Sequence, residues 1–381
     1  MPAARARTAL LWILVAAVPL AGIELLGFAL AKALPDLFDQ RQRTLEALRP
    51  EQFEQFKQSV ASATLGWDNP AGQAQRVRNC VGEEMTYTYS ADRIRVHSAQ
   101  PFDAVVMVAG DSYTHGAEVA DDATYPASLE RMLTLPVANL GVGGYGPEQA
   151  LLKLEEMIDR FPKARVAVLS IMYENTRRMV NSYRPVYYRD TGILFGLKPF
   201  LRDGSFHELI GGDPFRDFPS LLRAADAAFD SDFWARPRAQ FPYAVSAIKA
   251  VSSPAFWVPT LDQQLIRLDI PQHRVFYSLR SIQENLRALY DRFASLAQRR
   301  NLRPVVAFIP PYQQDHVSGL IGIAAATDDQ RRRITFVNVG DDFDWSRFFR
   351  GCHPSADGYG MIAAGVAPTV RPLLAAASPD R

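Results

Sequence analysis

Four short stretches carry the groups that chemistry would need. "AGDSYTHG" puts Ser112 just past an apolar run, on a turn opened by Gly110, and "MYENT" ends another apolar run at Asn175. "NLGVGGYG" offers glycines whose backbone N–H groups a substrate can approach closely, and "CHPSADGYG" sets His353 ahead of a final helical stretch. A hydroxyl, an imidazole and several N–H donors are the parts of acyl transfer. The hydroxyl attacks, the imidazole takes and returns its proton, and the donors hold the oxygen on which charge develops. Each stretch alone also has a plain explanation. Gly-Asp-Ser arises by chance, glycine loops are common, asparagine suits a turn, and histidine suits a helix cap or a packed position.

The elements that would position these groups follow from the apolar pattern. Val105, Val106, Met107 and Val108 form a continuous apolar run of the kind that is buried on both faces of a parallel sheet. "ATYPASLERML" reads as a helix, "PVANLG" as a strand, and "PEQALLKLEEMIDRF" as a helix with Pro147 in its first turn. "RVAVLSIMY" and "RPVVAFIP" read as further strands. Between them lies "LRSIQENLRALYDRFASLAQRR", where Leu279, Ile282, Leu286, Leu289, Phe293 and Leu296 share one helical face. This alternation predicts an α/β fold, a three-layer α/β/α sandwich with a mostly parallel sheet. Residues near 177–273 break the period with aromatics, prolines and Asp/Gly turns, which marks a lid-like insertion or padding over a sheet edge.

With strand ends carrying Ser112, the glycine loop and Asn175 in that order, and His353 before the last helix, the chain resembles the SGNH/GDSL hydrolase family. The resemblance covers roughly 103–176 and 275–375. It implies Ser112 as nucleophile, His353 as general base, and an oxyanion hole made by the N–H groups of Ser112 and Gly144 with the Asn175 amide. Two positions depart from the family. Thr176 follows Asn175 where an aspartate is usual, and Arg350 stands three residues before His353 where the family has the acid that orients the imidazole. Three arrangements remain open: a displaced acid, Asp342 or Asp344; a Ser–His dyad oriented by backbone; or a degenerate site that only binds.

At the other end of the chain, Arg5 and Arg7 precede an apolar stretch from about Thr8 to Leu34, long enough to cross a hydrocarbon core of about 30 Å. We read residues 1–35 as a membrane anchor with a cytoplasmic N-terminus, against the alternative of a cleaved signal peptide ending near Ala31. Glu24 is costly within such a span and is expected to make a helix contact there. Residues 36–100 read as a polar, helical stalk followed by a strand pair in "TYTYSADRIRVHS". Residues 101–376 form the main domain, with the insertion at about 177–273. Cys80 and Cys352 are the two cysteines. They are compatible with a disulfide outside the cytoplasm or with two buried thiols inside it, and the extracytoplasmic reading favours a bond that braces the His353 loop.

The 381 residues, 48% of them hydrophobic, make a folded chain, and a formal net charge of +1 gives no field for nucleic acid. His207, His273 and His316 have no metal-ligand spacing, His115 near Ser112 reads as a substrate contact or, more simply, a surface imidazole, and the glycine loop lacks the P-loop lysine and hydroxyl. No cofactor and no metal are expected. The function expected is a serine esterase outside the cytoplasm, acting on an acylated, O-acetylated carbohydrate. O-acetyl transfer to an exported polysaccharide uses the same residues, and a non-catalytic scaffold or glycan-binding module is the rival of a different class.

Overall fold

The computed structural model describes residues 2–34, 38, 40–187, 193–266, 274–311 and 316–376. Its centre is a five-stranded parallel sheet. In chain order the strands are β3 (Val106–Ala109), β4 (Val137–Asn139), β5 (Val166–Met172), β6 (Arg303–Ile309) and β7 (Thr335–Asn338), arranged β7-β6-β5-β3-β4. Ahead of them, after a short antiparallel pair, Ala61–Ser62 with Gly66–Trp67, β1 (Ala74–Arg78) and β2 (Glu84–Thr88) form an antiparallel hairpin. The expected strand pair is therefore displaced upstream. "TYT" belongs to β2 but pairs backwards with β1, and its downstream partner is reduced to a single bridge, Tyr89 to Arg95.

Every residue of β3, β4 and β5 is buried, which accounts for their uninterrupted apolar text. Alternate residues serve two separate clusters, as the two-residue period of a strand requires. Met107, Ala167 and Leu169 pack with helices α4 (Pro147–Met157) and α8 (Arg280–Arg299) through Leu151, Leu154, Leu286 and Phe293. Val106, Val108, Val166 and Val168 pack with α3 (Tyr125–Leu133) and α9 (Ala356–Ala376) through Leu129, Leu133, Ile362 and Val366. Helix α8 buries Ile282, Leu286, Leu289, Phe293 and Leu296 as its sequence face predicts, while Leu279 is its N-cap.

Helix α1 (Pro2–Ala33) contains a stretch, Val15–Ala33, long and apolar enough to cross a membrane. The segment read as a stalk is instead laid against the rest of the chain. Phe53, in the helix Pro50–Ser59, is buried and packs against Phe195 and Phe218. The insertion holds a small antiparallel pair, Phe200–Arg202 with Ser205–His207, and then helices α5 (Phe218–Ser231), α6 (Tyr243–Ser252) and α7 (Pro254–Ile266).

Candidate active site

Ser112 opens α2 (Ser112–His115), a single turn of helix at the carboxyl end of β3. Asp111 caps it, its Oδ1 accepting from the Tyr113 N–H at 2.9 Å. Burial pushes the Asp111 carboxyl up to about 6, against the opposing pull of the Arg178 charge. Ser112 itself is nearly buried. The ring of the next residue, Tyr113, lies edge-on to His353 with centroids 6.0 Å apart, so the serine turn and the histidine loop meet.

Asn175 ends a short 3-10 turn, Tyr173–Asn175, just past β5. Its side chain is buried, and neither Nδ2 nor Oδ1 has a hydrogen-bond partner among the described residues. A buried amide left this way is the exception in folded proteins. Thr176, in the position of the missing aspartate, closes the turn by donating from Oγ1 to the Tyr173 carbonyl at 2.7 Å. The following segment is clamped by Lys198, whose buried ammonium pairs with Glu148 and donates to the Arg178 and Asn181 carbonyls. Gly144 sits in the turn before α4 at φ +83, where a Cβ would strike Ile193, while at the neighbouring Gly143 a Cβ would meet nothing within 4 Å.

The acid beside His353 is one the sequence reading did not consider. Glu118 Oε1 stands 3.7 Å from His353 Nδ1, an ion-pair rather than a hydrogen-bond separation, and Glu118 Oε2 accepts from the Cys352 N–H at 3.0 Å. Burial lowers the His353 pKa, the Glu118 carboxylate works to raise it, and Arg178 lowers it further. Asp344 is occupied elsewhere. It caps the short helix Trp345–Phe348 by accepting from the Ser346 N–H and Oγ. Asp342 is exposed in the preceding turn. Arg350 does not face the imidazole either, and pairs with Glu83 at 2.6 Å on the surface.

The loop carrying Glu118 is fixed by Arg95. This buried guanidinium donates to the carbonyls of His115, Gly116 and Val119, pairs with Asp121 at 2.9 Å, and lies over the Tyr87 ring. Glu118 N–H in turn donates to the Tyr87 hydroxyl at 2.6 Å. His115 is no surface group. It is buried, its Nε2 lies 2.9 Å from the Tyr89 hydroxyl, and burial with the Arg95 charge drives its pKa well down. Cys80 and Cys352 form a disulfide with Cα atoms 5.9 Å apart, joining the β1–β2 hairpin to the His353 loop. Gly351 makes that approach feasible: it adopts φ +111, and a Cβ there would fall 2.8 Å from Glu118 Oε2.

Glu118 and the two sulfurs lie within 4.8 Å of one another, which is ligand spacing for a metal, but the disulfide bond uses both sulfurs. His207 stacks on Phe200; His273 lies outside the described residues, as does the side chain of His316. The signal for Glu118 was present but weak: an acid between Gly116 and Val119, downstream of the serine on the same turn. Nothing local distinguished it from a solvated loop residue.

No family model matches the chain, and no curated protein matches it. Among solved structures, one titled "Crystal Structure of TesA" is similar over 70% of this chain and 98% of that one, at 13% identity and a TM-score of 0.35. A likeness of that size carries no argument about what this chain does.

Proposed function

We propose that the chain is a serine ester hydrolase of SGNH type, with Ser112 as nucleophile, His353 as general base and Glu118 as the acid that orients it. The pairing of His353 with Glu118, on the loop that begins at Ser112, carries the reading. It supplies a carboxylate to the imidazole where the family pattern, with Arg350, has none. The Ser112 hydroxyl attacks an ester carbonyl as its proton passes to His353 Nε2. The imidazolium so formed faces the Glu118 carboxylate through Nδ1, and the oxyanion is met by the N–H groups of Ser112 and Gly144 and by Asn175 Nδ2. Collapse expels the alcohol with the proton from His353, and water repeats the sequence on the acyl-enzyme.

The two core clusters on opposite faces of the sheet support a three-layer sandwich as the scaffold. The apolar α1 supports an anchor that holds residues 101–376 outside the cytoplasm, a compartment in which a disulfide persists. An acylated carbohydrate is the substrate class we propose from that location. The aromatic insertion lends it little, because Tyr183, Phe195, Phe200, Phe215, Phe229 and Trp234 are all buried.

A fluorophosphonate probe tests the chemistry. Labelling of the full chain that disappears in Ser112→Ala is the expected result. A folded protein that stays unlabelled from neutral to alkaline pH would mean a binding module instead. A panel of O-acetylated glycans, acyl thioesters and lipid esters then tests the substrate class.

A further inference from the structure

We propose that α6, in the insertion, is embedded in the outer half of the bilayer beside α1, its free face covered by lipid acyl chains. The inference rests on reading α1 as a retained membrane helix and goes beyond the proposed hydrolysis. Its starting point is Glu24. Within the apolar stretch Val15–Ala33, the Glu24 carboxylate accepts from the Tyr243 N–H at 2.6 Å and from the Ala244 N–H at 3.4 Å, the first turn of α6. A helix N-terminus offers unpaired N–H groups and the positive end of its dipole. Each partner therefore satisfies a group that would be costly in hydrocarbon.

The contact is close and extended. Gly27 passes so near the α6 backbone that a Cβ would lie 2.7 Å from Ala244 N, and Phe28 meets Tyr243 edge-on at 5.1 Å. Farther along, Ala31 and Phe38 cluster with Ala250. The two helices thus run side by side in the same direction. The 10 residues of α6, about 15 Å at helical rise, lie along the second half of the α1 span, against a hydrocarbon core of about 30 Å.

The side of α6 away from the protein is apolar: Val245, Ile248 and Val251 are 46, 64 and 49% exposed, and Phe241 just before the helix is 73% exposed. Leu25, Leu26 and Leu30 of α1 continue that surface. Its serine hydroxyls are paired within the chain, since Ser246 Oγ donates to the Gln240 carbonyl and Ser252 Oγ to the Lys249 carbonyl. The cations sit at one level, Lys249 near the end of α6 and Lys32 in the last turn of α1, where they reach the headgroups. A surface continuous with the membrane helix, without charge across its depth and bounded by lysines, fits lipid.

The test uses the full chain in phosphatidylcholine vesicles. Because Cys80 and Cys352 are bonded to each other, single cysteines at Ile248→Cys, Leu20→Cys and Met132→Cys can each carry an NBD fluorophore. With doxyl-labelled lipid, emission from positions 20 and 248 is expected to fall by about twofold or more while position 132 is unaffected. Quenching at 20 without quenching at 248 overturns the proposal and leaves the anchor standing. A blue-shifted but unquenched 248 means a second copy or another protein covers α6, and overturns it too. No quenching at 20 removes the anchor and this inference together, while fluorophosphonate labelling of Ser112 reports separately on the chemistry.

Discussion

The two halves of the candidate site are built in opposite ways. The Ser112 turn and Asn175 hang from β3 and β5, strands buried along their whole length in the middle of the sheet. The His353 loop hangs from no strand: it lies between the buried Phe348 and α9, closed by its own Phe349–Pro354 bridge. Contacts with distant segments hold it: the disulfide across 272 residues, the Glu118–Cys352 bond and the Arg350–Glu83 pair. Packing therefore places the proposed nucleophile and oxyanion donors, whereas a covalent and electrostatic brace helps to place the proposed base. If that division is right, variants on the sheet side should change chemistry with little change in pH profile, and variants on the loop side should do both.

The largest effects should not distinguish the halves. Ser112→Ala and His353→Ala are each expected to lower kcat by about 10⁴-fold or more, and the double variant little further, because the two act as one unit. Steady-state ester hydrolysis measures this; additive losses would break the pairing. Asn175→Ala should come next, with a loss of about 10²- to 10³-fold in kcat and an unmoved acid limb, as for an oxyanion donor that does not titrate.

Loop variants should separate. His353 must be neutral to act as base, and burial holds its pKa below the ordinary imidazole value, so activity should persist below about pH 6.5. Glu118→Gln removes the carboxylate that raises that pKa. The acid limb of kcat/KM should therefore move to still lower pH, while kcat falls by about 10- to 100-fold because the imidazolium loses its carboxylate. Arg178→Gln is the exception on the sheet side: just past Asn175, it removes a charge that lowers the His353 pKa, so its acid limb should move up. A Glu118→Gln variant with full kcat and an unshifted limb would leave His353 a dyad held by backbone.

This division also explains what could be read from the chain beforehand. Strand ends are local: Val105–Gly110 announces both a buried strand and the turn that presents Ser112, and the same holds for Asn175. The α8 face was legible for the same reason, since five of its apolar residues recur at helical spacing and all five are buried. The partner of His353 was not. Glu118 becomes an orienting acid only because Arg95, Tyr87 and the disulfide fold its loop against Gly351, and no short-range pattern encodes that meeting. Asp344 looked better placed because it is near in sequence, yet nearness along the chain gave it a cap to make. The burial of Phe53 is a third case: a polar helix with scattered phenylalanines reads as a stalk until the insertion it packs on is in place.

Breaking the brace without touching charge should give an intermediate result. Cys80→Ser with Cys352→Ser leaves Ser112, Asn175 and Glu118 in place, so kcat should fall by roughly 3- to 10-fold through looser placement of His353. Stability should fall by about 2 to 4 kcal/mol in denaturant titration, the usual range for a native disulfide. Incubation of the parent protein with dithiothreitol should reproduce both changes, and reoxidation should reverse them. Unchanged kcat on reduction would assign the hold on the loop to Glu118 and Arg350 alone.

The smallest effects belong to Asp342 and Asp344, the acids just upstream of His353. Asp344→Ala removes two bonds to Ser346 at the start of a four-residue helix and should cost about 1 kcal/mol of stability, the common price of a lost N-cap. Its acid limb should coincide with that of the parent, because the carboxylate it removes does not face the imidazole. Asp342→Asn, in an exposed turn, should change neither stability nor rate measurably. These two variants and Glu118→Gln form one experiment on a shared axis, the position of the acid limb. Only the last should move it, and movement in Asp342→Asn or Asp344→Ala would return the orienting role to the segment just before His353.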